Sequence, residues 1–257
     1  MTDPARWLPY RPGAEPLRLY CLPHAGGSAS AFRSWIGAVP GVDVRPVQPP
    51  GREGRHRETP YAHMEDLVAD LAEAVLADVA DSGGVPYAVY GHSLGAMTAF
   101  ELVRRIGAVG GPEPVHLMVS GCGAPELCGG LEGLTPIRDM STEQIAEVLR
   151  RLGGTPEWLL GNRALLAMVL PPFRADFTVK ENYRYVPCAP LSLPVTALAA
   201  TDDPRASVAD AAAWEAHTTG PFTLRTLSGG HFAALEQAAA THRHIESALR
   251  PWALSAS

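Results

Sequence analysis

Between residues 64 and 79 the apolar side chains Met64, Leu67, Val68, Leu71, Val75 and Val79 fall at i, i+3, i+4, i+7, i+11 and i+15. That spacing draws one apolar stripe down a helix, so an amphipathic helix packed by one face is expected there. Elsewhere the pattern changes to short apolar runs. Leu17–Leu22, Val42–Val47, Val85–Tyr90, Val115–Val119, Pro194–Ala199 and Pro221–Leu227 each read as a strand. Helix-like stretches separate them, among them 31–39 and 96–102. Strands alternating with helices predict an α/β fold with a mostly parallel central sheet and helices on both faces. One domain over residues 1–257 can bury a core of this kind.

The alternation lapses between Cys128 and Tyr185, where no strand pattern occurs. Ser141–Leu152 reads as a helix, with Ser141 as N-cap and Gln144 completing a capping box. Further helices are expected over 155–160 and 163–170, with Pro171-Pro172 breaking the last. A helical insertion of about 128–185, leaving the carboxyl end of a strand, lies where ligands bind in such sheets and reads as a lid.

The strand ending at Tyr90 runs into Gly91-His92-Ser93-Leu94-Gly95 and then into a helix-forming run. Strand, G-x-S-x-G turn and helix together form the setting of a nucleophile elbow. The serine hydroxyl then stands at a helix N-terminus, which favours developing negative charge. A serine needs a base, and the base needs an orienting carboxylate. On this scaffold the acid precedes the histidine, and both follow the serine. Thr201-Asp202-Asp203-Pro204 follows the fifth strand and Gly229-Gly230-His231-Phe232 the sixth. Asp203, just ahead of proline, is the favoured acid, and Asp202 is the alternative. His231 is the favoured base; His92 is expected to point away from the serine. His56, His63, His217, His242 and His244 are expected to be solvated.

The oxyanion needs two N–H donors. One is expected from the backbone of Leu94. The other is expected from the Gly-rich loop after the first strand, at Ala25. Met97, Trp158, Met168, Phe173 and Phe177 are candidate linings of an acyl pocket. The chemistry calls for no metal or other cofactor.

Composition narrows the setting. The net charge of −6 argues against a nucleic-acid partner. No stretch of 18 apolar residues suggests a membrane span, and the N-terminus shows no signal-peptide pattern. The four cysteines have no C-x-x-C spacing and read as reduced thiols. A cytoplasmic protein, monomeric by default, is expected. The basic run Arg52-Glu53-Gly54-Arg55-His56-Arg57 reads as a solvated loop, with a landing site for phosphate or an acidic protein as its sharper reading.

Six pieces, in this order along the chain, carry a resemblance: Leu22-Pro23-His24-Ala25-Gly26-Gly27-Ser28, Gln48-Pro49-Pro50-Gly51-Arg52-Glu53, Tyr90-Gly91-His92-Ser93-Leu94-Gly95-Ala96, Arg150-Arg151-Leu152-Gly153-Gly154-Thr155-Pro156, Arg174-Ala175-Asp176-Phe177 and Gly229-Gly230-His231-Phe232. From about residue 17 onward the chain resembles the type II thioesterases that accompany polyketide and nonribosomal peptide synthetases, a branch of the α/β-hydrolase superfamily. The fourth piece lies in the insertion and is the most discriminating. Ala199-Ala200 departs from the Gly-Gly that members often show before the acid. The resemblance implies an α/β-hydrolase fold, a Ser93–Asp203–His231 triad, Ala25 and Leu94 as oxyanion donors, and a mobile lid over 128–185. It also implies an editing role: hydrolysis of stalled acyl thioesters from the phosphopantetheine arms of acyl or peptidyl carrier proteins. An oxoester hydrolase or lipase on the same scaffold, and a non-catalytic binding module, are the competing expectations.

Overall fold

The computed structural model describes residues 3–128 and 135–253. Among them six strands form one parallel sheet: β1 (Leu17–Leu22), β2 (Val42–Pro46), β3 (Tyr87–His92), β4 (Leu117–Ser120), β5 (Val195–Ala200) and β6 (Phe222–Leu227). Their spatial order is β2-β1-β3-β4-β5-β6, every neighbouring pair parallel. The helices are α1 (Pro4–Trp7), α2 (Met64–Asp81), α3 (Leu94–Ala108), α4 (Thr142–Leu152), α5 (Glu157–Leu160), α6 (Arg163–Asn182), α7 (Val208–Ala212), α8 (Ala233–Glu236) and α9 (Ala238–Ala253). The expected helix over 31–39 is instead a 3₁₀ helix at Ala29–Trp35, which ends two residues before Gly37 takes a φ of 73°.

Alternation along each strand divides the core into two layers. Tyr20 and Leu22 of β1, Tyr87 and Val89 of β3 and Leu117 and Val119 of β4 pack with α2 and α3 on one face. Leu17, Leu19, Ala88, Tyr90 and Met118 pack with Phe32, Trp35, Ile245 and Leu249 on the other. Because both faces are covered, the central strands are apolar at nearly every position, as a parallel sheet requires. Each buried leucine contributes about 1.5–3 kcal/mol relative to an exposed one. The stripe from Met64 to Val79 is the buried face of α2, and Asp78 is buried beside it. The Asp78 carboxylate accepts from Arg18 Nη1 (2.8 Å), Arg45 Nη2 (2.8 Å) and Tyr20 OH (2.6 Å). These bonds pin the C-terminal end of α2 to β1 and β2.

Between β4 and β5 the chain builds a third, smaller core. Ile145, Leu149, Leu160, Leu166, Leu170, Phe173 and Phe177 of α4–α6 bury one another. The capping box at Ser141 and Gln144 is formed. The start of the expected insertion, residues 129–134, lies outside the described residues.

Helix α6 does not stop at Pro171-Pro172 but runs through both to Asn182. The prolines remove the donors to the carbonyls of Ala167 and Met168. Both of those residues are exposed, so water reaches the orphaned oxygens. Beyond the prolines, Arg174 donates to the carbonyls of Ile137 (2.6 Å) and Met140 (2.7 Å), and Phe173 and Phe177 are buried. Tertiary contacts thus hold the helix across a break that local propensity favours.

His217 also departs from expectation. It is buried against Phe100, Tyr185 and Trp214, with Nε2 2.5 Å from Glu126 Oε2. No helix among the described residues is long and apolar enough to cross a membrane.

Candidate active site

At the end of β3 the backbone turns through Ser93 with φ 56° and ψ −117°, a region that residues with a side chain rarely occupy. The surroundings hold it there. Ser93 N–H donates to Ser120 O (2.8 Å), and Ser93 O accepts from Ala96 N–H (2.9 Å). The flanking glycines are a steric necessity. A Cβ on Gly91 would lie 2.1 Å from Gly95 O, and one on Gly95 2.2 Å from Leu22 O. Only bare backbone lets α3 start this close to the end of β1.

The turn lifts the Ser93 hydroxyl toward His231, in the loop after β6, with Oγ 3.0 Å from Nε2. On the other side of the ring, Nδ1 lies 3.0 and 2.9 Å from the two carboxylate oxygens of Asp203, in the turn after β5. The Asp203 side chain is fully buried and that of His231 4% exposed. Burial works to raise the Asp203 pKa. The hydrogen bond and charge of His231 and the N–H groups of Arg205 and Ala206 outweigh it, so the carboxyl titrates below its usual value and stays ionised. Asp202, the alternative acid, is exposed and accepts only from the Thr201 hydroxyl (3.0 Å) among the described residues.

The Ala25 and Leu94 N–H groups, expected as oxyanion donors, both border the cavity that holds Ser93 and His231, and neither donates to another described residue. The loop carrying Ala25 is braced by charge. Gly26 N–H donates to Asp176 Oδ2 (2.7 Å), and Arg52 grips both Asp176 oxygens (2.5 and 2.7 Å) and Gly27 O (2.9 Å). Arg52 is therefore no solvated or landing residue: it is 6% exposed and ties the Gly-rich loop to α6. Arg55 is buried too, bonded to Glu58 and Gln48 O and lying 4.4 Å over the Trp7 ring.

Around His231 stands an aromatic collar that motif reading does not reveal. His92 lies 5.2 Å from the His231 ring rather than facing away, and Phe232 packs 4.9 Å from His24 and 5.5 Å from His92. His92 is fully buried, with Nδ1 2.8 Å from Ser120 Oγ. Burial, reinforced by the charge of His231, pulls His24 down to about 4 and His92 well below the usual histidine value. Burial alone brings His116, on the sheet, to about 4. All three are neutral in the folded protein at neutral pH.

This has a measurable cost in acid. The unfolded chain protonates these rings near pH 6.5 and the folded one only near pH 4 or below, so the unfolded state binds more protons in between. Stability is therefore fully present above about pH 6.5 and is lost progressively as the pH falls toward 4. Thermal melting between pH 7.5 and 4.5 should show a falling Tm, and His116→Gln should flatten the slope. A Tm constant over that window would contradict the burial described here.

The acyl-pocket candidates divide. Phe173 and Phe177 line the cavity, with Leu149, Leu159 and Val169 beside them. Met97 does not: its helical position turns it into the main core, 1% exposed. Trp158 (67% exposed) and Met168 (74% exposed) lie on the outside of the small helical core, on the faces opposite Leu160 and Leu166. The Leu152–Pro156 stretch closes over the site instead. Gly154 has φ 73°, and a Cβ there would lie 2.6 Å from the Phe232 ring, so glycine is what lets this loop seat beside His231.

Comparison with known proteins places the chain in a family. The family model described as a thioesterase domain matches residues 17–249. Thioesterase PikA5 of Streptomyces venezuelae is 40% identical over 217 residues, 84% of this chain and 75% of its own. The gramicidin S biosynthesis protein GrsT of Aneurinibacillus migulanus is 36% identical over 220 residues, 85% of this chain and 83% of its own. The solved structure of the type II thioesterase BorB from the borrelidin biosynthetic cluster superimposes with a TM-score of 0.83 at 37% identity, covering 97% of this chain and 99% of BorB. A family match over most of the chain, on a parallel α/β-hydrolase sheet with a serine, a histidine and a carboxylate in hydrogen-bonding line, establishes that the chain belongs to the thioesterase domain family and is a hydrolase of thioesters.

Proposed function

We propose that the chain removes acyl groups from the phosphopantetheine arms of acyl or peptidyl carrier proteins, as an editing hydrolase of polyketide or nonribosomal peptide synthesis. The observation that carries the reading is the Ser93–His231–Asp203 chain opening into an apolar cavity walled by α4–α6. The likeness to type II thioesterases of biosynthetic clusters supports the choice of carrier-bound acyl groups.

In this mechanism Ser93 Oγ attacks the thioester carbonyl while His231 Nε2 takes its proton. Asp203 fixes the tautomer of the ring and stabilises its charged form. The oxyanion accepts from the Ala25 and Leu94 N–H groups, each worth roughly 3–4 kcal/mol in the transition state. The tetrahedral adduct expels the arm's thiolate, which takes the proton from His231. The acyl-Ser93 ester remains. Water then attacks it, giving its proton to His231, which passes that proton to Ser93 Oγ as the adduct collapses and the free acid leaves. Helices α4–α6 serve as the lid that excludes bulk water.

The test is intact-protein mass spectrometry of acylated carrier proteins incubated with the enzyme, alongside kcat/KM for matched thioester and oxoester substrates. Loss of the acyl mass with return of the free thiol, and a preference for the thioester, are expected. Carriers that keep their acyl groups while oxoesters turn over rapidly would instead favour a lipase-like esterase.

The Arg52–Asp176 pair yields a second check. Arg52→Met leaves the largely buried Asp176 carboxylate without its cation and with only the Gly26 N–H as donor, a loss of about 3–5 kcal/mol of stability. It also frees the loop bearing Ala25. We expect kcat to fall about 10- to 100-fold with KM little changed. An unchanged kcat in a folded Arg52→Met protein would remove the loop from the oxyanion site.

A further inference from the structure

Cys122 and Cys128, both in the stretch that leaves β4, bring their sulfur atoms to within 2.8 Å of each other. An S–S bond is about 2.05 Å long, so an approach of roughly 0.8 Å separates the pair from a disulfide. The two ends of the contact are held differently. Cys122 is buried, and its carbonyl accepts from Trp214 Nε1 (3.1 Å). Ala124 N–H then donates to Asp210 O (3.1 Å). Cys128 is only half-buried and caps a 3₁₀ turn (Pro125–Leu127) whose Glu126 and Leu127 are exposed. Cys128 is therefore the end that solvent reaches and the end that can move.

The hydrogen bonds run one way. Cys128 S–H donates to Gly123 O (3.1 Å), which leaves Cys122 S–H to donate to Cys128 Sγ. That bond, with the charge of Lys180, pulls the Cys128 thiol below the usual cysteine value against the opposing effect of burial. The same bond, with burial, pushes Cys122 well above it. One sulfur is set up to attack, and the other keeps its proton until it is needed.

We propose that Cys122 and Cys128 form a redox site, which hydrogen peroxide closes into an intramolecular disulfide while the triad keeps working. The Cys128 thiolate attacks a peroxide oxygen. The O–O bond breaks, and the departing hydroxide takes up the proton that Cys128 shed. Sulfur is oxidised to a sulfenic acid and the peroxide is reduced. Cys122 Sγ then attacks Cys128 Sγ. The S–S bond forms, the S–O bond breaks, and the hydroxyl leaves as water with the Cys122 proton. Two thiols and one peroxide thus give one disulfide and two waters. Cys128 makes the approach, so the backbone before Cys122 keeps its place. That matters at Gly121, packed so closely that a Cβ there would lie 2.6 Å from His92 Cε1 and 3.3 Å from His231 Cε1.

The test uses the Cys188→Ser protein, because Cys188 is exposed and Cys21 is buried. Trypsin releases both members of the pair in one peptide, Ile106–Arg138. After hydrogen peroxide and alkylation that peptide should be lighter by two hydrogens and carry no alkyl label. Dithiothreitol should restore both thiols. The oxidised protein should melt roughly 3–8 °C higher, with kcat on an acyl-pantetheine unchanged. In Cys122→Ala, Cys128 should stop as a sulfenic acid that dimedone traps. In Cys128→Ala, Cys122 should remain a thiol. A peptide still alkylated twice after peroxide overturns the site, whether or not a variant folds. So does a Cys128 carried on to sulfinic acid beside a free Cys122. A kcat that collapses on oxidation and returns with dithiothreitol overturns the independence of the triad. The mass readout needs no substrate, so it stands or falls apart from the editing function proposed above.

Discussion

Ser93→Ala is expected to lower kcat for acyl-thioester hydrolysis by about 10⁵-fold while leaving the melting temperature near that of the wild type. The size follows from what is lost. Without Oγ no acyl-enzyme forms, and His231 has no proton to take. What remains is the oxyanion pocket and binding, which in such sites sustain only a small residual rate. Stability should hold, because an alanine relieves neither the φ of 56° nor the close approach of α3 to β1. Because the three side chains act as one unit, His231→Ala on top of Ser93→Ala should cost little more. The measurement is kcat on an acyl-pantetheine with melting curves for each variant. Retained turnover in Ser93→Ala would remove this serine from the reaction.

Asp203→Asn should lower kcat by about 10³- to 10⁴-fold with the fold intact. The amide presents an N–H₂ where a carboxylate accepted from His231 Nδ1–H at 2.9 Å. To keep a hydrogen bond the ring must move its proton to Nε2, which then cannot accept from Ser93. KM should change little, since Asp203 is fully buried and touches no acyl group. Asp202→Asn is the internal control. That side chain is exposed and apart from His231, so its variant should stay within a few-fold of the wild type. Equal losses at both positions would mean that the turn's charge matters and the tautomer does not.

Much of this was open to reading from the chain because local physics dictated it. Short apolar runs mark the strands of a sheet covered on both faces. The glycines of the elbow are fixed by contacts of little more than 2 Å, and Asp203-Pro204 and Gly229-Gly230-His231 occupy turns at strand ends. What escaped reading depends on distant partners. Arg52 and Arg55 look like a solvated basic run until Asp176, Glu58 and Trp7 arrive from elsewhere. Met97, Trp158 and Met168 have the right chemistry for a pocket but the wrong helical phase. His217 gives no local sign of its burial beside Glu126. Pro171-Pro172 are strong breakers overruled by the packing of Phe173 and Phe177.

Those two prolines divide α6 mechanically. The turns after them carry Asp176, gripped by Arg52, and Phe173 and Phe177 on the cavity. The turns before them hold to the protein chiefly through Leu166 and Leu170 in the small helical core. With two rungs of the ladder missing between, the outer half can yield at far lower cost than the inner half. If α4–α6 act as the lid proposed above, its opening would run through this outer half and leave the Ala25 and Leu94 amides in place.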